Sequence, residues 1–354
     1  MTSSAKVDLH SHWFSPKITQ YLLSKQTGIR FIQQNGKILL DRQKHDALPQ
    51  LFELGAQWFD IDLRLGHLEH HQVVHQLLSW PTTLEIDSNI DVSESRYISR
   101  LYNNDLGELL NLYPAQFSAL SYLSTSDIEF ATDELKRGHE ELGFIGGVLP
   151  VGALSSYASA QHFADLFKAA NELGSHIYLH TGSAHDTVQQ QVKSSALSAN
   201  PIEIQILNTS YVFSSAVFTL LFTDFLDAYP NVTVQIAMLG GSGISALLIE
   251  QILQKQQRYP LPQQYQQRLS QITFDTGAAG DGIQAIEAMR HIFGIERLVF
   301  GTDYAPQASV NSVIQHIEQT DLTQHEKQQV YFDTPAHLLK QKGIHVPILQ
   351  LENA

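Results

Sequence analysis

The 354-residue chain contains no cysteine, which excludes disulfides and thiolate metal sites at once. Positive charge is scarce as well. Lys and Arg total 22 against 36 Asp and Glu, a net charge of −14, whereas a nucleic-acid binder needs a positive surface to neutralise phosphates. That deficit does not exclude small anionic substrates, because a metal ion or a local arginine inverts the field inside a pocket. Charged residues of both signs make up 16% and hydrophobic residues 43%, which excludes a disordered or fibrous chain and supplies a large core. No apolar run reaches the roughly 20 residues of a membrane span. The opening stretch MTSSAKVDLHSHW lacks the apolar segment of a secretion signal. The expected location is therefore cytoplasmic, with no membrane partner, and the sequons at Asn208 and Asn231 are read as accidental.

What is present is a rhythm. Short apolar runs recur at VDLHSH (7–12), VVHQLLS (73–79), QFSALSYLS (116–124) and GFIGGVLP (143–150). The series continues with HIYLH (176–180), VTVQIAM (232–238), ITFDT (272–276) and RLVFGTD (297–303). Helical patterns lie between them. In SAQHFADLFKAANELG, Phe163, Leu166, Phe167, Ala170 and Leu173 share one face and Gly174 closes the helix. Eight nearly continuous apolar strands alternating with helices predict a (β/α)8 barrel, with a doubly wound open sheet as the alternative for the same alternation. The barrel is expected to fill residues 1–354 as one domain. An irregular insertion at 14–54 carries a hairpin at Asn35-Gly36, and a flap at 181–210 covers the barrel mouth. The glutamine-rich stretch 251–271 reads as solvated helix around a proline-bounded break.

Active sites of such barrels lie at the carboxyl ends of the strands. Three ends carry four metal-ligand side chains: His10 and His12 on the first strand, His180 on the fifth and Asp303 on the eighth. Strand side chains alternate, so His10 and His12 point the same way. Three imidazoles and one carboxylate suit a divalent ion such as zinc. One histidine in a strand is ordinarily a hydrogen-bonded core or surface residue, and there are 17 in this chain. Three separate strand ends delivering ligand types are much harder to reach by chance. His67 and His71, four apart, read as a solvated helix face, and His185 as surface after strand five. The glycines of GGSG, Gly240 to Gly243, read as an anion-holding turn or a plain tight turn. Trp13, just past the histidine pair, is a candidate pocket wall with a core role as the alternative, and no arginine is assignable to a substrate carboxylate. Arg64 reads as beginning a helix outside the barrel, and Arg42 lies in the insertion.

These stretches, with DLRLGHLEHHQVVHQLLSWP, LYNNDLGELLNLYPAQFSALSYLS, ELKRGHEELGFIGGVLP, FLDAYPNVTVQIAMLGG and RLVFGTDYAP, carry a resemblance. From VDLHSHWFSP nearly to TPAHLLK the chain resembles the amidohydrolase-related group that includes aminocarboxymuconate-semialdehyde decarboxylase and the non-oxidative aromatic-acid decarboxylases. The resemblance implies a distorted (β/α)8 barrel with one catalytic divalent metal, zinc or manganese, and dimers as a frequent assembly. It places the ligands on His10, His12, His180 and Asp303. The strand-four stretch GFIGGV has no lysine to bridge a second metal.

One position departs from the pattern. Where the family carries histidine in a stretch like AHLGG, this chain has AMLGG, with Met238 in its place. A thioether cannot take up a proton and is a poor ligand for borderline divalent ions. Alternation along strand six puts Val234, Ile236 and Met238 on one face, and the match to AHLGG implies that this face turns into the barrel, leaving Met238 as an apolar, substrate-contacting wall. Three functions compete: a carboxy-lyase removing CO2 from an aromatic or unsaturated acid with Asp303 as proton carrier; a hydrolase of a small ester, amide or lactone; and a binding protein that has lost catalysis. Hydrolysis needs an activated water, which the missing histidine would help prepare, whereas decarboxylation needs positioning and a proton donor. The lyase is the preferred reading.

Overall fold

The computed structural model describes residues 5–42, 51–192, 201–277 and 282–347. Three antiparallel strands belong to the insertion: β2 (Arg30–Gln34), β3 (Lys37–Asp41) and β4 (Leu51–Leu54). The others line up as β1 (Lys6–His12), β5 (Val73–Ser79), β6 (Phe117–Ala119), β7 (Ser121–Tyr122), β8 (Gly146–Pro150), β9 (His176–His180), β10 (Thr233–Ile236), β11 (Ile272–Asp275) and β12 (Leu298–Val299). All their pairings are parallel: β1–β5–β6 form one ladder and β7 through β12, in chain order, another.

The two ladders are one barrel. Leu120, between β6 and β7, donates its N–H to the Leu78 carbonyl at 3.0 Å, so β6 and β7 act as a single third strand. At the other seam, Leu9 N–H donates to Phe300 O at 3.0 Å and His12 N–H to Tyr304 O at 2.6 Å, with a parallel bridge between Ser11 and Tyr304. The chain beyond β12 thereby closes onto β1. Every residue of β1, β8 and β9 is buried, because helices cover the outside of a closed parallel sheet.

The insertion is less irregular than its sequence suggests. Pro16–Ser24 is a helix whose first turn is capped by the Ser15 hydroxyl, which accepts from Ile18 N–H at 3.1 Å. The Asn35-Gly36 hairpin forms, with both residues at positive φ (52° and 75°), as a two-residue turn between twisted strands requires. Helix Pro201–Phe222 takes up the last ten residues, 201–210, of the expected flap at 181–210. Proline at a first helical position is favourable, but the preceding serine-rich run reads as loop. The centre of that flap, residues 193–200, lies outside the described residues.

One correction concerns strand six. Gln235, not Val234 or Ile236, turns into the barrel: its amide reaches the Leu9 carbonyl, Asp275 and His176. β10 ends at Ile236, and residues 238–243 all take positive φ, including the non-glycines Met238 (56°), Leu239 (51°) and Ser242 (62°). Each non-glycine there costs about 1 kcal/mol. The GGSG turn is tight: a Cβ on Gly241 would meet Phe213 at 2.9 Å, and one on Gly243 would meet Ala285 at 3.0 Å.

Candidate metal centre

The four predicted ligands come together. One ligand atom from each of His10, His12, His180 and Asp303 lies within 4.8 Å of the others. β1 delivers the histidine pair, β9 ends in His180, and the segment closing the barrel bends at Asp303, which takes φ 57° and donates its N–H to the His10 carbonyl at 2.9 Å. Asp is one of the few residues that tolerates this left-handed region. Asp303 Oδ1 is 3.2 Å from both His10 Nε2 and His12 Nε2.

The outer nitrogen of each ring is held, and the partner fixes its role. His12 Nδ1 faces the Ser79 carbonyl at 3.2 Å, which only accepts, so this nitrogen carries the hydrogen. His180 Nδ1 faces Thr82 Oγ1 at 3.0 Å; that hydroxyl already donates to Thr181 O at 2.7 Å and therefore accepts from the ring. Both Nε2 atoms are then bare lone pairs, yet they lie 3.2 Å apart. Such an approach is repulsive unless a cation sits between them, and two nitrogens about 2.0–2.1 Å from a tetrahedral ion would be about 3.3 Å apart. His10 Nε2 and Asp303 Oδ1 are buried and lack a hydrogen-bond partner among the described residues. Orphaned lone pairs converging with a carboxylate are what a divalent ion requires.

Electrostatics favour the ligating forms of His12, His180 and Asp303, and leave on His10 a second proton that a bound cation would displace. Burial drives His12 and His180 toward their neutral, ligating forms, and the neighbouring His10 adds to the shift in both. Burial opposes a charge on His10 too, but the carboxylates of Asp275 and Asp303 outweigh it and raise its pKa to about 10. Burial likewise opposes ionisation of Asp303, and His10 with His12 overcomes it, so this carboxyl stays well below its ordinary range.

Several supporting residues were not singled out from sequence. Asp275, at the end of β11, meets His10 Nδ1 at 2.9 Å and accepts from the backbone N–H groups of Gly277 (2.9 Å) and Met238 (3.2 Å). Trp58 stacks on the His12 ring at 6.5 Å with an interplanar angle of 16°. Asp8, beneath the histidines, accepts from Gln76, from His10 N–H and from the Thr302 hydroxyl at 2.7, 3.0 and 2.7 Å. A polar residue ending strand seven was the one available signal for Asp275. Arg64 requires correction. It lies on helix Ile61–His71, but its guanidinium is buried, donating to Gln76 Oε1 at 2.7 Å and to the His12 carbonyl, and covering the Tyr304 ring.

The remaining candidates are placed as follows. Met238 is buried, and its sulfur accepts from the Thr181 hydroxyl, next to His180. Trp13 is buried and donates its indole N–H to Phe59 O at 3.4 Å. His67 stacks on Tyr304 at 4.3 Å rather than lying free on its helix, with His71 beside it at 4.5 Å. His185, half-buried, contacts Thr187.

Residues 98–341 match the amidohydrolase family. No curated protein matches the chain. Among solved structures, a 2,6-dihydroxybenzoate decarboxylase from Rhizobium superposes with a TM-score of 0.68 at 18% identity, covering 95% of this chain and 99% of that one. IDCase from Metarhizium anisopliae gives 0.74 at 16% identity, covering 96% and 98%. A dihydroxybenzoic acid decarboxylase from Polaromonas, solved with manganese and the inhibitor 2-nitroresorcinol, gives 0.67 at 17%, covering 95% and 97%. At these identities the likeness is one of fold, and that fold is the (β/α)8 barrel.

Proposed function

Because the chain belongs to the amidohydrolase family, we propose that it is a metal-dependent carboxy-lyase removing CO2 from a small aromatic or unsaturated carboxylic acid. His10, His12, His180 and Asp303 would hold the one ion, zinc or manganese. Bound there, the ion supplies Lewis-acid polarisation of a substrate oxygen. The observation that carries the reading is accessibility. The His10 and His12 side chains are fully buried, whereas that of Asp303 is 14% exposed. Within the cluster, Asp303 is the group that offers an edge to a substrate.

The carboxylate of Asp303 is ionised at rest. It takes a proton from the substrate's hydroxyl or from water at its exposed edge. It then passes that proton to the carbon losing CO2, as the electron pair of the breaking C–C bond stays on that carbon. Met238 and its sulfur contact with Thr181 make the wall beside His180 apolar, which suits a planar substrate and provides no second base. Manganese and an aromatic inhibitor in the Polaromonas decarboxylase support the same substrate class.

We place a second copy of the chain as partner. Ile206, Leu207 and Tyr211 on helix Pro201–Phe222, and Ile244, Leu247 and Leu248 on helix Ile244–Leu253, are exposed apolar side chains on helices that contact each other. Patches of this kind mark association surfaces, and light scattering reads the assembly directly.

The test of the activity is a CO2-release screen of the zinc- and manganese-loaded protein over hydroxybenzoates and muconate-type acids. Release from at least one acid is expected. Folded, metal-loaded protein that releases none but cleaves esters or lactones would overturn the lyase in favour of the hydrolase.

A further inference from the structure

A chain of buried polar side chains runs through the barrel from the N-terminal ends of its strands to the metal centre. It starts at Thr233, the first residue of β10. Thr233 Oγ1 meets His176 Nδ1 at 2.9 Å, and His176 Nε2 meets Gln235 Oε1 at 3.2 Å. Gln235 Nε2 meets Asp275 Oδ2 at 2.7 Å, and Asp275 Oδ1 meets His10 Nδ1 at 2.9 Å. His176, Gln235, Asp275 and His10 are all 0% exposed. An apolar residue at 176 or 235 would avoid the cost of burying an imidazole and an amide, so the hydrogen bonds must repay it.

Donors and acceptors along this chain are forced. One end of the Gln235 amide faces two groups that accept, the Leu9 carbonyl at 2.9 Å and the Asp275 carboxylate. The NH2 group must sit there, with both hydrogens used. The amide oxygen therefore points at His176, whose Nε2 has to donate, and its Nδ1 then accepts from the Thr233 hydroxyl. Asp275 Oδ1 already accepts two backbone N–H groups, from Gly277 and Met238. The remaining approach to that oxygen is a donor position, so His10 presents Nδ1–H and its Nε2 lone pair faces the ion. An amide carries no proton onward under these conditions, so the chain transmits orientation and not protons.

We infer that Gln235 and His176 are positioning residues: together they hold Asp275 so that His10 is kept in the one tautomer able to bind the metal. His176 sets the direction of the Gln235 amide, and a flipped amide would aim its oxygen at the Asp275 carboxylate. The inference rests on reading the His10 cluster as a metal site, but not on the reaction catalysed there.

The experiment uses full-length, metal-free protein labelled with 15N-histidine. His10 is assigned by loss of its signals in His10→Ala, and its tautomer is read from the long-range 1H–15N spectrum. Zinc affinity is measured in parallel by competition with a chelator. Read above pH 10, where the ring has lost its second proton, the native chain is expected to show His10 solely as the Nδ1–H form. Gln235→Leu and His176→Phe are expected to show mixed tautomers and zinc binding about 10–100-fold weaker, the usual effect of losing an outer partner of a ligand. His176→Gln, whose amide can donate to Gln235, is expected to restore native behaviour, which a purely space-filling role would not. Folded Gln235→Leu with native tautomer and affinity would overturn the inference. If Gln235→Leu does not fold, the position-176 variants decide alone, and identical behaviour of His176→Phe and His176→Gln overturns it. A native chain with the expected tautomer but no zinc affinity would instead defeat the metal reading, leaving the two failures distinguishable.

Discussion

The hydroxyl of Thr181 donates to the sulfur of Met238 at 2.9 Å, one residue beyond His180. This contact lies at the position where the resemblance to AHLGG leads one to expect a histidine, and the thioether supplies no base there. Histidine tolerates positive φ better than most residues, so it fits the 56° backbone of position 238. Native protein is expected to hydrolyse small esters and lactones weakly or not at all. Met238→His is expected to raise that rate by about 10²-fold or more, the usual worth of general-base help. Brisk hydrolysis by the native chain, unimproved in the variant, would assign the base to another group such as His185.

Metal content follows from the converging lone pairs. Purified protein is expected to hold one divalent ion per chain, and His10→Ala/His12→Ala to hold essentially none, by elemental analysis. Equal content in the two proteins would remove the site from His10 and His12.

Asp303→Asn keeps the shape of the side chain and removes its proton carrier. We expect turnover to fall by about 10²- to 10⁴-fold, with metal content measured on the same samples so that lost binding and lost proton transfer are separated. Turnover near the native rate would refute the role of Asp303.

Acid sensitivity should trace in part to His176. Burial, with a smaller contribution from Lys342, lowers its pKa to about 3 against an ordinary 6.5, and the bond to Gln235 opposes this only partly. A depressed folded-state pKa means that the unfolded chain takes up the proton first as pH falls. The stability this neutral imidazole contributes is therefore complete above pH 6.5 and lost between pH 6.5 and 3, at about 1.4 kcal/mol per pH unit. Urea midpoints between pH 7 and 4 should fall more steeply for the native protein than for His176→Gln, by the slope of one proton. Parallel curves would mean that His176 is protonated in the folded chain.

Much of the architecture is written locally. The eight apolar runs match the eight barrel strands because each is a short segment bounded by turns and buried on both faces. The four candidate ligands stood out because polar ends on such runs have few structural reasons to exist. The helix at Pro16–Ser24 and the early start of helix Pro201–Phe222 were hidden by polar, loop-like flanks. Strand six was misread for a related reason. When both faces of a strand are buried, alternation carries no sign of which face looks inward, and Gln235 could be oriented only by its partners.

The sequence by itself therefore determined the barrel and pointed to His10, His12, His180 and Asp303 as candidate ligands, since both readings depend on residue type at strand ends. Tertiary structure alone decided how those ligands are held. Asp275 lies 265 residues from His10 along the chain, yet it fixes the ring's hydrogen through a 2.9 Å contact. Arg64, read as external, has its guanidinium buried against the carbonyl of His12. Such pairings arise when barrel closure brings distant strand ends into one small volume, and no local pattern of residues encodes which of them will meet.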